Sequence, residues 1–233
     1  ITLLLKSNYY VLSLSLLCSK TGKVLKSTNY IDAYELRLDN VRKDRAIVQA
    51  WKNRWVIAIS SYESSVNLAV YDASNLNKVD FTTLQTSIEK NEITLVSSES
   101  CIIVSLGSKY LLSLDIQSGR IQSIKERLLR EIQAFSPMIK QLNDNTHSWK
   151  YINSSSKFIV FVLDDVLVAI DSISKPFIFL DVPNDIITSE FIDESILICI
   201  PEHNEEKLDT SGGFSWNIDR NIISMINIPN IRS

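Results

Sequence analysis

One phrase recurs five times along the chain: an apolar strand-like run, a small or acidic residue, a short polar turn, then a second run. It reads LSLSLLCSKTGKVLKS over residues 12–27, VNLAVYDASNLNKVDF over 66–81, YLLSLDIQSGRIQSI over 110–124, VLVAIDSISKPFIFL over 166–180 and FSWNIDRNIISMINI over 214–228. Aligned on Ser19, Asp72, Asp115, Asp171 and Asp219, the copies are spaced by 53, 43, 56 and 48 residues. A hairpin alone is barely stable in water, and a period of this length leaves room for a four-stranded antiparallel sheet per copy. The chain is therefore constrained to an array of short sheets that bury their faces against one another.

Apolar and β-branched runs bounded by polar turns place the strands. Residues 10–17 and 23–30 form a hairpin in which Gly22 supplies a positive φ. A first full unit comprises 45–50, 55–60, 66–71 and 78–84, and a second 93–97, 101–106, 110–114 and 120–124. A third contains 158–163, 166–170 and 176–181, and a fourth 186–191, 196–200, 214–218 and 222–228. Runs such as CIIVSL and ILICI are apolar at nearly every position, which suits strands covered on both faces. The fold class expected is all-β: a β-propeller or partial propeller of about four to five four-stranded blades, with one inserted helix.

Two segments interrupt the rhythm. Residues 125–142, KERLLREIQAFSPMIKQL, set Leu128, Leu129, Ile132 and Phe135 at helical spacing, with Pro137 where a helix stops. This helical insertion reads as a connector packed on the sheets, or as a docking surface through Leu128, Ile132 and Phe135. Residues 201–213, PEHNEEKLDTSGG, read as a mobile loop between strands. The expected organisation is one propeller over 1–233. The chain opens without a Met and inside an apolar run, so the expectation is a piece of a larger protein.

Composition narrows the function. With 24 basic and 27 acidic residues the formal net charge is −3, so a broad basic surface for nucleic acid is not favoured. No apolar run reaches the ~18–20 residues of a membrane helix, so no transmembrane segment is expected in this chain. Cys18, Cys101 and Cys199 lie in or at the end of apolar runs without metal-ligand spacing. They read as buried structural thiols and favour a reducing compartment, cytoplasm or nucleus.

The residues that carry chemistry elsewhere nominate none here. His147 and His203, the two histidines, sit in polar loop contexts. Asp164-Asp165 and Asp193-Glu194 read as turns, where Asp bonds the local backbone. The recurrent Asp72, Asp115, Asp171 and Asp219 are expected to accept N–H bonds from the turns that follow them. No glycine-rich phosphate loop, nucleophile elbow or zinc-protease motif occurs, and no catalytic residue, cofactor or metal ligand is assigned. Trp51 and Trp55 flank Lys52-Asn53-Arg54. They read either as sheet packing or, with Arg54, as an aromatic and basic surface for a peptide or RNA.

With these features in place, the chain resembles the β-propellers of the WD-repeat and quinoprotein-like superfamilies. YLLSLDIQSGRIQSI is similar to the quinoprotein-like blade, an aliphatic strand ending in Leu-Asp before a Ser/Thr-Gly turn, and LCSKTGKVLKS shares that turn. SKTGKVLKS with NRWVIAISSYESSVNLAVYD is also similar to the propeller of the large lumenal subunit of the endoplasmic-reticulum insertase complex. The Trp-Asp and Gly-His pairs of standard WD repeats are missing, and no catalytic residue is carried over. The resemblance implies a non-enzymatic scaffold whose partners are other protein subunits of a larger complex. The alternative is a peptide- or RNA-binding module built on Trp51, Arg54 and Trp55.

Overall fold

A computed structural model describes residues 2–8, 11–18, 20–32, 46–51, 54–62, 64–86, 93–107, 109–135, 149–163, 166–172, 175–181, 186–201 and 212–227. Consecutive apolar runs pair antiparallel with their sequence neighbours, so each sheet is a simple meander. The first sheet holds β1 (Thr2–Asn8), β2 (Val11–Leu17) and β3 (Val24–Asp32). The second holds β4 (Ala46–Trp51), β5 (Trp55–Tyr62), β6 (Ser65–Asp72) and β7 (Lys78–Gln85). The third holds β8 (Ile93–Ser97), β9 (Ile102–Leu106), β10 (Tyr110–Leu114) and β11 (Ile121–Ser123), after which α1 (Lys125–Phe135) intervenes. The fourth holds β12 (Trp149–Ser154), β13 (Ile159–Leu163), β14 (Val166–Ile170) and β15 (Ile178–Asp181). The fifth holds β16 (Ile186–Phe191), β17 (Ile196–Pro201), β18 (Gly212–Asn217) and β19 (Ile222–Asn227).

The chain divides into two compact units, Ile1–Ile93 with Leu114–Gln122, and Thr94–Ser113 with Ser123–Ser233. In the first, the middle strands of the second sheet are buried on both faces: Val56 through Ile59 on β5 and Val66 through Tyr71 on β6. The one polar residue in that run, Asn67, accepts a 2.8 Å bond from the Thr83 hydroxyl on β7. In the second unit the fourth sheet is the central layer. Alternation sends Ile159, Phe161 and Leu163 of β13 into one core with α1 and strands of the third sheet, and Val160 and Val162 into another with the fifth sheet. Burying each such side chain contributes about 1.5–3 kcal/mol, so the two-faced apolar strands account for the stacking.

The structure corrects several boundaries. β12 is a strand where none was expected, and it supplies the missing first strand of the fourth sheet. β1 likewise precedes the expected first hairpin. Strand β18 begins at Gly212, so the two glycines assigned to the 201–213 loop belong to the sheet, and residues 202–211 lie outside those described. The helix fills the first part of 125–142. Pro137, His147, Asp164-Asp165 and His203 also fall outside the described residues. No helix among the described residues is long and apolar enough to cross a membrane.

Candidate functional site

The repeated turn has a definite geometry, and it is not the one the acidic residues alone suggest. In the first three sheets an anchor residue at the strand end donates its N–H five residues downstream and accepts from the residue four downstream. The pairs are Cys18 with Lys23 and Gly22, Asp72 with Asn77 and Leu76, and Asp115 with Arg120 and Gly119. The residue four positions on is left-handed each time: Gly22 (φ 66°), Leu76 (φ 54°) and Gly119 (φ 72°). In the fifth sheet Asn217 lies opposite Ile222 and Asn221 is again left-handed (φ 49°), but its N–H goes to the Ile218 carbonyl at 3.2 Å. The turn of the first sheet is thus anchored on Cys18, and Ser19 lies outside the described residues.

Two of the recurrent aspartates do cap their own turns. Asp72 Oδ1 accepts the Ser74 N–H at 2.7 Å and the Ser74 hydroxyl at 2.5 Å. Asp115 Oδ1 accepts the N–H groups of Gln117 at 2.8 Å and Ser118 at 3.1 Å. These donors stabilise the ionised forms, so Ser74 holds the Asp72 carboxyl, and Ser118 the Asp115 carboxyl, below the ordinary aspartate range. Asp193 caps in the same way, accepting from Ser195 at 2.6 Å and Ile196 at 2.7 Å.

Asp171 and Asp219 do something else. Each receives the turn between the first and second strands of the preceding sheet. Ser100, in the β8–β9 turn, donates its hydroxyl to the Asp171 carbonyl and, at 3.3 Å, to Asp171 Oδ1. Lys157, in the β12–β13 turn, bonds Asp219 Oδ1 at 2.5 Å, while Ser195 donates to Oδ2 at 2.5 Å. Lys157 is the main cause that lowers the Asp219 carboxyl, and Asp219 in turn raises the Lys157 ammonium.

The same relationship joins the β4–β5 turn to the 115–120 turn inside the first unit. Trp55 is only 6% exposed, and its indole N–H donates to the Ile116 carbonyl at 2.8 Å. Arg54 donates to the Gln117 carbonyl at 2.8 Å, with its guanidinium 5.1 Å from the Trp55 ring centre. Asp80 completes the link by accepting the Ile121 N–H at 2.7 Å. Three inter-sheet latches thus share one topology, with Trp and Arg, Ser, or Lys as the gripping residue.

These contacts place several of the sequence-nominated residues. Trp55 is a buried latch, so its ring is not presented to a peptide or RNA, and Arg54 is engaged at the same turn. Trp51 closes β4, opposite Trp55 in the register. On α1, Leu128 and Ile132 are fully buried in the core and unavailable for docking. Phe135 stays 43% exposed, its ring 5.4 Å from that of Phe179. Burial drives the Cys101 and Cys199 thiols up to about 12, as inert core residues. Ser100 and Lys157 escaped sequence reading because their partners lie 71 and 62 positions away.

No protein-family model matches the chain, and neither does any curated protein sequence. Solved structures do. The dihydro-heme d1 dehydrogenase NirN is similar with a TM-score of 0.50 at 13% identity, over 97% of this chain and 44% of that one. Hsv2 of Kluyveromyces lactis is similar with a TM-score of 0.43 at 9% identity, over 97% of this chain and 60% of that one. Sqt1 of Saccharomyces cerevisiae gives a TM-score of 0.44 at 10% identity, over 93% and 55%. The chain thus spans less than two thirds of each of these proteins. At such identities the likeness concerns the fold alone. Together with the meandering sheets, it sets the class: an all-β protein of the β-propeller type.

Proposed function

We propose that this chain is a non-enzymatic propeller scaffold that binds other protein subunits through an uncovered sheet face. The observation that carries this reading is the fifth sheet. Strand β17, ILICIP, is apolar on both faces, as in the doubly buried β13. Yet of its side chains Leu197 and Cys199 are buried against the fourth sheet, while Ile196, Ile198 and Ile200 of the opposite face remain half-exposed. Strand pairing sets Asn217 and Ser215 of β18 beside Ile196 and Ile198, so the apolar row runs along β17 with a polar margin. This row of half-exposed isoleucines is apolar surface of the kind a partner covers. The polar side chains described in the latches, by contrast, are spent holding neighbouring sheets together.

The test compares the full-length protein with its Ile198→Glu variant, each purified from its own cells at native expression. The expected result is a fixed-stoichiometry set of partner chains that the variant loses while keeping its circular dichroism and melting profile. A partner set unchanged by Ile198→Glu would overturn the reading.

A further inference from the structure

The edges of the sheets differ as much as their faces. An unpaired strand edge is a template for another chain, and proteins blunt it with charge, brevity or bulges. Four of the five closing strands are blunted. β3 carries Lys26 and Asp32 and pairs with β2 through two register shifts. β7 carries Lys78 and Asp80 and also has a register shift. β11 has three residues and β15 four.

β19 has none of these devices. It runs six residues, IISMIN, without a charge, and keeps an unbroken register with β18 along its whole length. Its side chains stand in solvent on both faces: Ile222 is 53%, Ile223 46% and Met225 70% exposed. Among the described residues, no strand pairs with its outer edge.

We infer that β19 is a pairing edge for a second copy of this chain. The occupant must offer a free strand edge, no charge and apolar side chains on both faces; among the closing strands, β19 itself fits. Antiparallel self-pairing centred on Ser224 is self-complementary. It sets Ser224 opposite Ser224, Ile223 opposite Met225 and Ile222 opposite Ile226. Because this register keeps each residue on its own face, apolar meets apolar on both sides of the joined sheet. The result is an isologous two-fold dimer with one continuous eight-stranded sheet. It uses the backbone edge of β19, whereas the scaffold reading rests on the Ile196, Ile198 and Ile200 row of β17, two strands further in.

Sedimentation of the purified full chain, with cysteine cross-linking, tests this. The wild type is expected to sediment at twice the 26.5 kDa chain mass. Cα atoms of directly opposed antiparallel residues lie about 4.5–5.5 Å apart, within disulfide reach. In a Cys18→Ser background, which removes the one half-exposed thiol among the described residues, Ser224→Cys should therefore oxidise to a covalent dimer that Cys18→Ser alone, with Cys101 and Cys199 buried, does not form. Met225→Lys should sediment as a single chain with an unchanged circular dichroism spectrum and a melting temperature that no longer depends on protein concentration, and should abolish the Ser224→Cys cross-link. A wild type that stays a single chain would overturn the inference. So would a dimer indifferent to Met225→Lys, or one in which Ser224→Cys fails to cross-link. Ile198→Glu, on the open face, should leave the dimer intact, which separates this failure from that of the scaffold reading.

Discussion

Gly119 and Gly22 occupy equivalent turns with nearly the same backbone, φ 72° and 66°, but different surroundings. Replacing either by Ala forces an L-residue into the left-handed region at about 1–2 kcal/mol. At Gly22 nothing lies within 4 Å of the added methyl. At Gly119 it would meet Trp55 Cη2 and Cζ3 at 2.9 Å and Val79 Cγ1 at 3.1 Å. The indole cannot slide away without giving up its bond to the Ile116 carbonyl, and overpacking of this kind costs roughly 1–3 kcal/mol. Gly119→Ala is thus expected to destabilise by about 2–5 kcal/mol, against about 1–2 kcal/mol for Gly22→Ala. Both residues belong to the same compact unit, so urea unfolding followed by tryptophan fluorescence compares them directly. Equal midpoints for the two variants would refute the claim that Trp55 is held against the 115–120 turn.

Further outcomes follow from the same geometry. Leu128→Ala and Ile132→Ala should each lose about 2–5 kcal/mol in urea unfolding, whereas Phe135→Ala, losing one tilted ring contact, should lose about 1 kcal/mol. In native protein a thiol reagent should modify Cys18 quickly, since hydrogen bonding from Thr21 lowers its pKa, while Cys101 and Cys199 react only on unfolding. Because Asp72, Asp115 and Asp219 are lowered in the folded chain, their contribution is complete above the unfolded carboxyl pKa of about 4 and is lost as pH falls through the folded values. A urea midpoint series at falling pH should decline there, and Asp115→Asn should flatten the decline.

The strands that bury both faces were legible because their residues carry the signal themselves: IVFVL and VLVAI need no partner to be recognised. β12 was missed for the opposite reason. WKYINS has Lys150 and Asn153 among half-buried side chains, pairs with β13 across a register shift, and has its Asn153 amide bonded to the Ser189 carbonyl on the next sheet. The turn repeat was seen but misframed at its ends. Acidity singled out Asp219, whereas the left-handed residue of that turn is Asn221. Trp55 and Arg54 were ambiguous in principle, since a tryptophan beside a basic residue reads alike on a surface or in a latch. Only the carbonyls of Ile116 and Gln117, brought close by sheet stacking, resolve it.

The central claim, a propeller that acts by holding other proteins, is tested most directly by native mass spectrometry of the full-length protein isolated from its own cells. The account predicts a particle in which this chain is joined by different polypeptides in fixed ratio. A particle containing this chain alone would contradict it.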